Sequence, residues 1–216
     1  VYARSTTRGF ARFAVSEPGQ HMQIEEPRVV VRVARDQRVA EASTSCLDEA
    51  SIVGAIRQAA QMAPEVPPDP SFPGFAGADE SEPAPLQRFA RSTAECDAVE
   101  RVARLEPVLS KIAAQGLVAT GVLDTSRSVV AVATTHGLTR SHAGTLATFK
   151  VWALESSGAG GAAGHGGSAG TDLNAPETEA ETERAVRDAL RGKSPGVLEP
   201  GRYDVVLEPE AVAELC

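Results

Sequence analysis

"RVVVRVARDQRVAEASTSCLDEASIVGAIRQAAQMA" (residues 28–63) decides the fold class. Val29, Val31 and Val33 fall on one face of an extended run, Arg28–Arg35, as a half-buried strand requires. The arginines Arg28, Arg32, Arg35 and Arg38 read as its solvated side. Asp36-Gln37 is a turn, and Arg38–Thr44 pairs back. Asp48 then caps a helix whose apolar positions Ile52, Ile56, Ala59, Ala60 and Ala63 share one face. The gaps between strands are too short for crossovers, so the sheet is antiparallel, and a helix lies across it. The class is α+β.

Upstream, Val1–Thr7 and Gly9–Val15 read as short strands, with a turn at Glu17-Pro18-Gly19-Gln20. These pieces make an N-terminal α+β domain over 1–63. Downstream the composition changes: seven of the fourteen prolines lie between Pro64 and Pro85, which marks a Pro-rich linker over 64–91. A central α+β domain follows over 92–202. It opens on a capping box, Ser92-Thr93-Ala94-Glu95, and a helix that Pro107 interrupts and Gly116 ends. Four strands are expected after it: Leu117–Leu123, Ser128–Thr135, Leu138–His142 and Thr145–Leu154. Asn174 is expected to cap a last charged helix near Pro176–Arg191. Two domains with antiparallel sheets and packed helices are the expected architecture. Residues 203–216 add a strand, Tyr203–Leu207, and a helix opened by Pro209.

A net charge of −8 argues against nucleic acid, whose phosphates need clustered Lys and Arg. No apolar run reaches the length of a membrane span, so no membrane partner is expected. Cys46, Cys96 and Cys216 are odd in number and far apart, which fits no disulfide framework and points to a reducing cytoplasm. The chain starts at Val1, without methionine, and both ends are expected to be cut.

Candidate chemistry is sparse. Seven glycines between Gly158 and Gly170 suggest a phosphate cradle, but no G-K-[ST] follows. That stretch is expected to be a disordered hairpin tip that could be shortened without loss of stability. His21, His136, His142 and His165 lack the spacing of a metal motif, and His136 and His142 flank a hairpin turn. Cys46 sits between a strand and a helix, a place that can activate a thiol, yet no partner base stands near it in sequence. The acid pairs Glu25-Glu26 and Asp79-Glu80 read as solvated charge in turns and linker. Catalytic, cofactor-binding and metal residues are therefore all expected to be none.

Several stretches in order resemble the TldD/PmbA family of metallopeptidases. They are residues 29–63, "PPDPSFPG" (67–74), "LVATGVLDTSRSVVAVATTHGLTRSH" (117–142) and "LEPGRYDVVLEPEAVAEL" (198–215). The resemblance implies that the last segment leads into a C-terminal domain, where an H-E-x-x-x-H helix and a later cysteine hold zinc. Those residues would lie beyond Cys216, and the family's leading helix would precede Val1. It further implies a cytoplasmic heterodimer with a related TldD/PmbA-type subunit, enclosing a cavity and cleaving unfolded or modified peptides. One subunit type has the zinc motif and the other lacks it. Three readings follow: the non-catalytic part of a zinc peptidase, its zinc-less partner subunit, or a free-standing interaction module.

Overall fold

The computed structural model describes residues 1–78, 87–156 and 161–215, with Glu210 described by its backbone alone. Two long strands, β1 (Tyr2–Ala14) and β2 (Glu17–Arg35), form a hairpin, and β3 (Arg38–Thr44) extends it. Helix α1 (Glu49–Met62) follows, with the Asp48 side chain accepting from the Ser51 N–H. Three short helices come next: α2 (Arg91–Ala94), α3 (Ala98–Ala103) and α4 (Glu106–Ala113). They lead to β4 (Leu117–Ala133), β5 (Thr139–Glu155) and β6 (Ala163–Gly170), then α5 (Thr178–Arg191) and α6 (Pro209–Leu215). The α+β antiparallel class holds.

All six strands belong to one antiparallel sheet in the order β3-β2-β1-β4-β5-β6. The strands expected in two separate sheets join through β1, which pairs with β2 on one side and with β4 on the other, from Tyr2↔Val132 to Phe13↔Gly121. The Pro-rich stretch therefore does not divide the sheet. Its described parts run against the β2–β3 turn and the middle of β5. The Asp69 N–H donates to the Gln37 carbonyl at 2.8 Å, Arg38 donates to the Val66 carbonyl, and the Thr145 N–H donates to the Arg88 carbonyl at 2.7 Å. Phe72 and Phe75 meet edge to face at 5.2 Å.

Alternation along the strands puts one face under helices. Val29, Val31 and Ala42 pack with Ala55 and Ala59 of α1. Ala11, Phe13, Leu123, Phe149 and Val151 pack with Leu105, Val108 and Ile112, and with Ala185 and Ala189 of α5. Pro107 stands in the first turn of α4, where a missing N–H costs nothing, so the expected break is a new helix start. Gly116 adopts φ +67°, the expected left-handed cap.

Several local expectations fail for related reasons. Val1–Thr7 and Gly9–Val15 are one strand, and the hairpin turn is Val15-Ser16 rather than Glu17–Gln20. Asp124–Arg127 and Ala143-Gly144 are strand interior, not turns. Ser92 caps nothing; Ala90 stands at the start of α2 without a side-chain bond. Asn174 bonds to Asp172 instead of capping α5. Tyr203–Leu207 forms no strand and joins no sheet.

The largest correction concerns the glycine stretch. Ala163–Gly170 is β6, paired with β5 from Ala147↔Gly170 to Leu154↔Ala163. Helix α5 lies directly on it. A Cβ at Gly164 would stand 2.6 Å from the Ala189 nitrogen and inside contact with the Ala185 carbonyl. One at Gly166 would stand 2.8 Å from the Glu181 carbonyl carbon. These glycines are what lets helix and strand backbones touch, and the lost side chains are replaced by that contact. The start of the stretch, 157–160, and the pair Asp79-Glu80 lie outside the described residues.

Candidate functional site

The second face of the sheet has no helix on it among the described residues, and it is the candidate site. Period-two alternation sends Arg4, Arg8, Phe10 and Arg12 of β1 to this face, beside Met22, Arg28 and Arg32 of β2. Thr120 and Val122 of β4, and Lys150 and Trp152 of β5, continue it. Arg8 binds Asp124 at 2.5 Å, and Arg32 binds Glu41 at 2.7 Å. Arg8 and Arg12 stand over the Phe10 ring at 6.0 and 5.7 Å. Arg4, Arg12, Arg28 and Lys150 make no salt bridge among the described residues, so the face is positive on a chain whose net charge is −8.

A concavity of about 450 Å³ opens at one end of this face, lined by Arg12, Ala14, Gln20, Thr120, Gly121, Val122 and Trp152. Trp152, 37% exposed, leans on the His165 ring with centroids 4.8 Å apart. Beneath it Gly121 makes room for the core: a Cβ there would stand 2.5 Å from the buried Phe13 ring and within the Lys150 carbonyl. Beyond the face, β3 and β6 are the sheet's end strands, each with one backbone edge free of a strand partner among the described residues, although Glu181 Oε2 takes the Gly167 N–H of β6. The arrangement offers cations, aromatic rings and two hydrogen-bonding edges.

The histidines singled out in the sequence occupy four separate environments. His136 bonds through Nδ1 to the Phe75 carbonyl at 3.0 Å, and His142 of β5 lies opposite Val130 of β4. His165 lies against Trp152, and His21 lies 2.9 Å from Arg101. Among the described residues no group of three His, Cys, Asp or Glu side chains comes together to hold a metal ion. These residues therefore do not fit the zinc that the resemblance implies. Cys46 is exposed at the strand–helix join, its N–H donating to Thr44 Oγ1 at 3.1 Å. Glu25 and Glu26 lie within β2 opposite Thr7 and Thr6, not in a turn.

Sequence reading passed over Arg101. It is 1% exposed on α3 and reaches β1, β2 and β4. Nothing local announces it, because its partners lie 24 and 80 residues away in sequence.

No helix among the described residues is long and apolar enough to cross a membrane. No family model matches the sequence, and no curated protein matches it. Solved structures do. TldE from Thermococcus kodakarensis superposes with a TM-score of 0.73 at 19% identity, over 88% of this chain and 43% of its own. A candidate modulator of a DNA gyrase from Thermotoga maritima gives 0.76 at 14% identity, over 88% and 43%. Another from Bacteroides thetaiotaomicron gives 0.69 at 12%, over 88% and 44%. The chain thus spans less than half the length of each of these proteins. Its architecture, over 88% of its residues, is that of structures from the TldD/PmbA family.

Proposed function

We propose that this chain is the assembly and peptide-enclosing part of a TldD/PmbA-like zinc metallopeptidase acting on unfolded or modified peptides. The observation that carries this reading is the uncovered positive face bordered by two open edges, on a fold shared with structures of that family. An extended peptide can add to a free strand edge, main chain to main chain, while the adjoining face takes its side chains. Arg12, Lys150 and Trp152 would favour segments with acidic and apolar residues. Zinc, when bound, polarises a scissile carbonyl and activates water; its ligands would belong to residues outside this chain. The work of these residues is to hold and orient the substrate.

Anisotropy of a labelled, unfolded, net-acidic peptide tests the reading. Saturable binding that weakens with added salt is expected, without cleavage products in the mass spectrum. Absence of binding, or cleavage by this chain alone, overturns it. The zinc-less partner subunit of such a heterodimer is the second reading, because the zinc motif of the resemblance would lie beyond Cys216 in either type. Reading the gene past the codon for Cys216 separates the two: H-E-x-x-x-H marks the zinc-bearing type, and a homologous domain without it marks the partner.

A further inference from the structure

Arg101 is a buried cation whose bonds all go to neutral groups. Its Nη1 donates to the Cys96 carbonyl at 2.7 Å and to Thr125 Oγ1 at 2.8 Å, and Nη2 lies 2.9 Å from His21 Nε2. The His21 contact needs the ring's lone pair on Nε2, so the imidazole accepts there. Among the described residues Nε is buried without a hydrogen-bond partner. Among the described residues Arg101 forms no salt bridge. The nearby acids are committed elsewhere: Glu95 binds Arg91 at 2.7 Å, and Asp97 accepts from the Glu100 N–H at 2.8 Å. Burial pushes the Cys96 thiol up, so it does not serve as a thiolate counter-ion at neutral pH. A guanidinium stays charged under all ordinary conditions, and burying it without an opposite charge is costly.

Beside this cation lies a cavity of about 170 Å³ whose wall carries Thr7, Gln23 and Thr125, a second arginine, Arg127, and the carboxylates of Glu95 and Asp97, the first paired with Arg91 and the second capping α3. At roughly 30 Å³ per water, that is space for about five waters, or for a small carboxylate with one or two. Gly9 completes the cradle. A Cβ there would stand 2.6 Å from Cζ and both Nη atoms, so only glycine lets β1 lie against the guanidinium.

We propose that this cavity binds a carboxylate group, with Arg101 as its cationic anchor, Arg127 as a second cation and the Thr7 hydroxyl as a further donor. The planar guanidinium fork matches a carboxylate, and the anion would neutralise a charge that no salt bridge among the described residues compensates. This site lies on the helix-covered side of the sheet and does not depend on the peptidase reading.

Thermal unfolding of the whole chain in sodium acetate, against sodium chloride at the same ionic strength, tests it. At ten times the dissociation constant, acetate should raise Tm by roughly 3–6 °C over chloride. Arg101→Met should abolish the difference. Arg101→Lys, which keeps the charge and loses the fork, should weaken acetate binding at least tenfold and answers the question if the methionine variant does not fold. Equal effects of acetate and chloride, or an acetate effect unchanged in Arg101→Lys, overturn the proposal. A short peptide with a free C-terminus, compared with its amide, separates two sources of the group. Competition by the free acid alone places peptide termini among the ligands; competition by neither, with the acetate effect intact, confines the site to small carboxylates. Both of those results support the carboxylate site.

Discussion

Val15 holds φ at 52°, in the left-handed region, at the tip of the β1–β2 hairpin. A two-residue hairpin loop needs positive φ at both central residues, which explains the backbone but not the valine. β-branched residues are the least suited to that region. The turn persists because Ser16 locks it to β4: the Ser16 N–H donates to the Ala119 carbonyl at 3.0 Å, and Ser16 Oγ accepts from the Ala119 N–H at 3.0 Å. Val15 itself is 76% exposed and contributes no core. Val15→Asn should therefore stabilise the chain by about 1 kcal/mol, the scale of left-handed strain relieved in an L residue. Urea unfolding checks this as a higher midpoint at unchanged slope. The Asp36-Gln37 turn has the same backbone, φ 52° and 60°, with a residue better suited to it, and that turn was legible in the sequence.

At the scale of the element, β6 and α5 stand or fall together. Gly164 and Gly166 let the helix backbone rest on the strand, and Glu181 Oε2 accepts from the Gly167 N–H at 3.0 Å. Gly164→Ala and Gly166→Ala should each destabilise by about 3 kcal/mol or more, since the added carbon meets backbone that cannot turn aside. Loss of far-UV helicity at lower urea than in the parent would show α5 leaving the sheet. An undiminished midpoint would mean that the helix sits farther out than the structure places it. The same contact reverses the expectation that Gly160–Gly167 can be cut to a two-residue turn without cost, since the cut removes most of β6.

Composition hid this strand, because glycine weighs against a fixed shape when only its entropy is counted. The long strands were misread for a different reason. Asp124, Thr125, Ser126 and Arg127 look like a turn, yet each is held by a partner distant in sequence. Asp124 binds Arg8 on the open face, and Thr125 accepts from Arg101 on the covered one. By contrast, Arg28–Arg35, Arg38–Thr44 and the existence and cap of α1 were readable, because alternation and the Asp48 cap are local; the packed face of α1 was not, since Ala55 is buried where Ile56 and Ala60 were expected and those two are exposed. The basic face was partly visible in the spacing of the arginines. The Arg101 cavity was not, since it exists only where five elements meet: β1, β2, α2, α3 and β4.

For the whole molecule, the question is how many units unfold. Proline content suggests two, divided at 64–91. The ladder suggests one, because twelve β1–β4 register pairs, Tyr2↔Val132 to Phe13↔Gly121, bind the early part to the late part. Neither part keeps an intact sheet alone. Separating them leaves β1 and β4 as bare edges and strips Ala11 and Phe13 from the cluster that holds Leu123 and Phe149. A chain built this way should unfold in one cooperative step. Trp152, the single tryptophan, reports on β5 through its fluorescence. A fluorophore attached to the exposed thiol at Cys46, after Cys96 and Cys216 are replaced by alanine and the replacement is shown by circular dichroism to keep the fold, reports on the β3–α1 join. The two curves should share one midpoint in urea. An earlier transition at Cys46 with Trp152 unmoved would restore the two-unit division and confine the sheet's continuity to a weak seam between β1 and β4.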